Sequence, residues 1–99
     1  MATRKIIWSP LSKIRLYEIL DFFNQRNKSN TYSQKLYRTF REELSILKLQ
    51  PEIGVKTNFD NTRGLIVGDY VLFYEIEEKQ INVLTVLDSR QNPKDLKII

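Results

Sequence analysis

The stretch Asn61-Thr62-Arg63-Gly64-Leu65-Ile66-Val67-Gly68-Asp69-Tyr70-Val71-Leu72-Phe73-Tyr74-Glu75-Ile76, running on through Gln80–Leu87 to Asp88-Ser89-Arg90-Gln91-Asn92-Pro93, decides the fold. It reads as three strands with two tight turns. Leu65-Ile66-Val67 meets Gly68-Asp69, a two-residue hairpin signal. Tyr70 to Glu77 returns, Glu78-Lys79 turns again, and Gln80 to Leu87 is the last strand. That strand is apolar on both faces: Ile81, Val83 and Leu87 on one, Leu84 and Val86 on the other. Such a strand is buried on both sides, or keeps one side for a partner.

Upstream lies a platform for this sheet. Arg4-Lys5-Ile6-Ile7-Trp8 is a short strand rich in β-branched residues. Ser9-Pro10 opens a helix, because serine caps and proline is tolerated at the first helical position. Leu11, Ile14, Leu16, Tyr17, Ile19, Leu20 and Phe23 give that helix a broad apolar face, and it ends near Arg26-Asn27. After polar Lys28 to Thr31, a second helix runs to about Leu49 with the stripe Tyr32, Leu36, Tyr37, Phe40, Leu44 and Leu47. So short a link makes the two helices an antiparallel hairpin. Pro51 stops the second helix, and Pro51 to Asn61 is a loop carrying Lys56. The fold class is therefore α+β: an N-terminal strand, a two-helix antiparallel hairpin and a three-stranded antiparallel meander. The helical crossover can return the first strand beside the last ones, giving one mostly antiparallel sheet with the helices on one face.

Bulk composition narrows the chemistry. The 99 residues are expected to form one domain. There is no cysteine, so disulfides and thiolate metal sites are excluded. The absence of histidine removes the usual general base and the commonest metal ligand. No metal, cofactor or small-molecule substrate is expected. The net charge of +4 favours polyanions or an acidic protein partner, with solubility alone as the plainer account. No leader peptide or membrane-spanning run is visible, so the expected location is the cytoplasm, without a membrane partner.

Several segments, in their order and spacing, resemble the RelE/ParE superfamily of bacterial toxins over almost the whole chain. Trp8-Ser9 with Leu16, Ile19 and Phe23 is similar to that family's opening. Leu47, Pro51 and Gly54 resemble its helix exit, Arg63 to Ile76 its central hairpin, and Ile81 to Pro93 its final strand and closing arginine–proline spacing. The resemblance implies a growth-inhibiting toxin of a type II toxin–antitoxin module, neutralised by a cognate antitoxin. RelE-like members cut mRNA on the ribosome with basic residues and often a C-terminal tyrosine or histidine. ParE-like members poison DNA gyrase and lack that set.

Metal-free RNA cleavage needs a base for the 2′-hydroxyl, cationic donors for the phosphate and an acid for the leaving oxygen. If the chain is a nuclease, Arg90, Arg63 and Lys56 are the candidate catalytic residues. Arg90 matches the arginine at the end of the family's last strand, where a guanidinium could clamp a phosphate at two points. A structural alternative accompanies each: Arg90 pairing with Asp88 or Asp95, and Arg63 with Asp60. Val71 stands where RelE-like nucleases carry an arginine, and Leu96 where they carry the tyrosine. Tyr70 and Tyr74 alternate with Leu72 and Ile76, which marks them for the core. Trp8 reads as a core aromatic, and Lys35, Arg38, Arg41 and Lys48 as a solvated helix face. The favoured reading is therefore the ParE-like one, with DNA gyrase as target. The ribosome-dependent mRNA endonuclease and a non-toxic, antitoxin-binding co-repressor are the alternatives. Val83, Leu84 and Val86 on the last strand, with Leu96 and Ile98 in the apolar tail, are the expected antitoxin contacts, suited to an acidic segment that folds on binding.

Overall fold

The helical hairpin packs on one face of a five-stranded sheet. A computed structural model describes residues 4–90. In chain order the elements are β1 (Lys5–Trp8), α1 (Pro10–Asn27), α2 (Thr31–Ile46), a 3-10 turn (Pro51–Ile53), β2 (Val55–Lys56), β3 (Thr62–Val67), β4 (Tyr70–Ile76) and β5 (Gln80–Asp88). The sheet order is β1-β5-β4-β3-β2. β1 lies parallel to β5, and the remaining pairs are antiparallel. The expected return of the first strand beside the last is thus observed. The chain between these two parallel strands runs through both helices and through β2, β3 and β4, well beyond the length that a parallel pair requires.

Ser9 starts α1 as expected. Its Oγ accepts from the Ser12 amide at 3.1 Å, and Pro10 occupies the first turn. Lys28 closes the helix in the left-handed region at φ 51°. α2 stops at Ile46, earlier than the expected Leu49. Its end tightens, with the amides of Leu47, Lys48 and Leu49 each donating three residues back. At the β3–β4 hairpin, Gly68 takes φ 59°, the conformation that a two-residue hairpin turn demands and a side chain resists.

The core is one cluster. Leu16, Phe40, Leu44 and Leu47 from the helical side meet Leu65, Val67, Tyr70, Leu72, Tyr74, Ile81, Val83 and Val86 from the sheet. Phe40 and Tyr70 contact edge to face, with ring centroids 5.7 Å apart. Trp8, Ile19, Leu20, Phe23 and Leu36 are half-buried around it. Tyr32 and Tyr37, placed on the apolar stripe of α2, are exposed, as are Ile14, Tyr17 and Phe22 of α1.

Two expectations are corrected. The segment Pro51 to Asn61 is not merely a loop, because β2 pairs there with β3 as a fifth, edge strand. Two residues are too few to show a strand period in sequence. The face assignment of β5 also changes. The register slips between Phe73, opposite Thr85, and Tyr74, opposite Val83, so Leu84 is a bulge residue. The bulge turns Val86 inward beside Val83. The two are 1 % and 0 % exposed, while Leu84 and Leu87 remain half-buried. The Leu84 carbonyl, freed from the ladder, accepts the Ser9 Oγ–H at 3.0 Å, while the Ser9 amide donates to Val83 O at 3.0 Å. One serine thus caps α1 and satisfies the bulge, since a buried carbonyl must find a partner.

Candidate functional site

The two arginines that frame the sheet occupy opposite ends of it and do different things. Arg63 lies opposite Tyr74 on one side and Lys56 on the other, at the entry of β3. Its Nη1 donates to the carbonyls of Glu52 and Gly54, both at 3.0 Å. The fully buried Tyr74 works beside it: its hydroxyl donates to Pro51 O at 2.6 Å and accepts from the Gly54 amide at 3.0 Å. Burial raises the Tyr74 phenol above its ordinary value, against the lowering influence of the Gly54 amide and Arg63. A methyl added at Gly54 would sit 2.5 Å from the Tyr74 hydroxyl, so the backbone there is packed directly on the ring. Together Arg63 and Tyr74 fasten the 3-10 turn and β2 to the sheet. Arg63 uses carbonyls for this, not Asp60.

Arg90 follows β5 at the far end, beside the β3–β4 turn. Its Nε and Nη2 clamp Asp88 at 3.0 and 2.8 Å, its backbone amide donates to the same carboxylate at 2.9 Å, and Nη1 stands 3.8 Å from Asp69. The Ser89 amide and hydroxyl both donate to Asp69 O. The Arg90 guanidinium holds the Asp88 carboxyl below the usual aspartate range, and Asp88 and Asp69 raise the arginine in turn. One cation therefore faces two carboxylates. Among the described residues, a phosphate approaching it meets no net positive charge and must displace a bidentate carboxylate.

Lys56 and Arg63 are register neighbours, but Arg90 is not brought to them. It adjoins the pair Tyr70–Asp88, four β4 residues from Tyr74, about 13 Å of strand. Of the expected antitoxin contacts, Val83 and Val86 are core residues and have no side-chain surface to offer. That part of the expectation is corrected: Val86 faces inward because of the bulge at Leu84, and Val83 because it shares the inner face with Tyr74 opposite it. Leu84 is half-buried, and Leu96 and Ile98 lie outside the described residues, as does Asp95. The sheet face away from the helices does present apolar side chains. Val55 and Ile66 are exposed, and Val71, Phe73 and Leu87 are half-buried.

Sequence reading passed over a second feature. The edge strand β1 and helix α2 border an open groove of about 910 Å³ lined by Arg4, Lys5, Arg38, Arg41 and Lys48, with Trp8 and Tyr37 among them. The cations of α2 were legible, but nothing in the sequence joined them to Arg4 and Lys5, which lie more than 30 residues away.

The family model for the ParE toxin of type II toxin–antitoxin systems matches residues 6–93. The chain belongs to the ParE toxin family. This is a family of type II toxins, and the α+β fold expected from the resemblance is the one observed. Among solved structures, a chain described as the chromosomal ParDE toxin–antitoxin system from P. aeruginosa superposes with a TM-score of 0.74 at 14 % identity, covering 87 % of this chain and 96 % of its own. At that identity the likeness concerns the fold. No curated protein matches by sequence. Within the described residues of this ParE-family chain, no helix is long and apolar enough to cross a membrane.

Proposed function

We propose that this chain is a growth-inhibiting toxin that is held inactive by a cognate antitoxin and acts on DNA gyrase as a protein inhibitor. The observation that carries the choice of target is the engagement of the candidate nuclease groups. Arg63 is occupied by two backbone carbonyls, Arg90 by carboxylates, and Tyr70 and Tyr74 are buried. RNA cleavage needs a free acid–base pair converging on one phosphate, and Lys56, Arg63 and Arg90 do not converge. The test is induced expression followed by parallel assays of plasmid supercoiling and protein synthesis. Altered supercoiling that precedes any fall in translation supports the reading. Early translational arrest with cut mRNA rejects it in favour of the endonuclease, and normal growth favours the non-toxic co-repressor.

For the antitoxin, Leu84 and the tail residues Leu96 and Ile98 remain the proposed contacts. They are joined now by the apolar open sheet face around Ile66 and Phe73. A partly disordered segment gains affinity by covering such a surface. Ile66→Asp, at a 61 % exposed position, should weaken antitoxin capture without lowering the melting temperature.

A further inference from the structure

We infer that the groove between β1 and α2 is a binding site for single-stranded nucleic acid, whichever enzyme the toxin inhibits. Five cations line it against one carboxylate, Glu42. Arg38 and Arg41 are one helical turn apart and share a face, and Lys48 continues the row just past the end of α2. From Arg38 to Lys48 that row spans about 15 Å at the helical rise per residue. Lys5, Arg38, Arg41 and Lys48 are exposed and form no ion pair among the described residues. Among the described residues, Arg4 donates to a carbonyl, Glu77 O, at 2.8 Å. This is the opposite of the Arg90 end, where each cationic donor already has its carboxylate.

The aromatic side chains decide which polyanion fits. The Arg41 guanidinium lies over the Tyr37 ring, 5.8 Å from its centroid, and Tyr37 is 38 % exposed. Trp8 lines the same groove. The Tyr37 phenol and the Trp8 indole in one groove offer flat surfaces for bases, and a cation row tracks the backbone. Base faces are available for stacking only where the strand is unpaired, which selects single strands over a duplex. An acidic peptide would use the charges but leave the aromatic faces idle.

Trp8 is the only tryptophan in the chain, so its emission reports on the groove directly. The full chain is titrated with a fluorescein-labelled 12-nucleotide oligothymidylate, following anisotropy and Trp8 quenching together. Saturable binding with quenching is expected. Its salt dependence should have a log–log slope of about −2, as one phosphate contact each from Arg38, Arg41 and Lys48 at roughly −0.7 implies. Arg38→Glu with Arg41→Glu should weaken binding roughly tenfold or more, and Tyr37→Ala roughly tenfold through lost stacking. All three positions are exposed, and an unchanged melting temperature confirms that the variants fold. No binding at low salt, or a duplex of the same length binding as tightly, would overturn the inference. So would a polyglutamate peptide that displaces the oligonucleotide at matched charge and quenches Trp8 equally, since that would mark the groove as an acidic-protein site.

Discussion

The Arg63 and Arg90 ends of the sheet carry the same residue type at the edge of the same three strands, yet one is built inward and the other outward. At the Arg63 end the guanidinium is half-buried and donates to main-chain oxygens, and the neighbouring buried tyrosine closes on the same loop. At the Arg90 end the side chain is 63 % exposed and is held by charge-assisted hydrogen bonds to a neighbouring carboxylate. The difference teaches that an arginine framing a strand says little until its donors are followed to their acceptors. Carbonyls from a distant segment make it a fastening. Neighbouring carboxylates make it a neutralised surface pair, of the kind that contributes little to stability.

The largest effect that could break or sharpen this contrast is at Tyr74. Tyr74→Phe keeps the ring but strands the Pro51 carbonyl and the Gly54 amide, and should cost about 1–3 kcal/mol in urea unfolding. Gly54→Ala should destabilise by a similar or slightly smaller amount, roughly 1–3 kcal/mol, because the new methyl forces the tyrosine ring away. Arg63→Ala comes next, at about 1 kcal/mol, given that its two hydrogen bonds are partly solvated. If Arg63→Ala left stability untouched while abolishing growth arrest, Arg63 would be a functional group and the fastening account would fail.

Arg90→Ala should leave both the melting temperature and growth arrest nearly unchanged. Loss of arrest in a stably folded variant would restore Arg90 as a working residue. The smallest effect is on the acid limb. The folded-state value of Asp88 is depressed, so its contribution is complete above the unfolded aspartate value and disappears as pH falls through the lower folded value. Acid unfolding of the native chain should therefore show an added loss below about pH 4 that Asp88→Asn removes. The loss is small, because the pair is solvent-screened.

Much of this was legible in the chain itself. Ser9-Pro10, Gly68-Asp69 and the apolar spacing of the helices place the elements, since capping, positive φ and periodicity are local requirements. The tyrosines of β4 were legible as core by alternation. Less was legible at the site. The slip at Leu84 put Val86 inside beside Val83, and nothing in the sequence at Leu84 announces a bulge. The partners of Arg63 were equally hidden, because backbone carbonyls have no sequence signature. Tyr37 lay on the apolar stripe of α2, yet it opens to a groove whose other wall is β1.

What the sequence by itself determined is the two helices, the first strand and the three-stranded meander, their order and the family, because each rests on short-range chemistry and on spacing along the chain; the two-residue β2 needed the fold. Tertiary structure alone decided which cations are spent and which are free. Arg63 and Arg90 found acceptors in the fold. Lys5, Arg38, Arg41 and Lys48 lie exposed along one groove, without carboxylate partners among the described residues. Charge is a property of a residue, but its availability depends on neighbours that only the packed chain supplies.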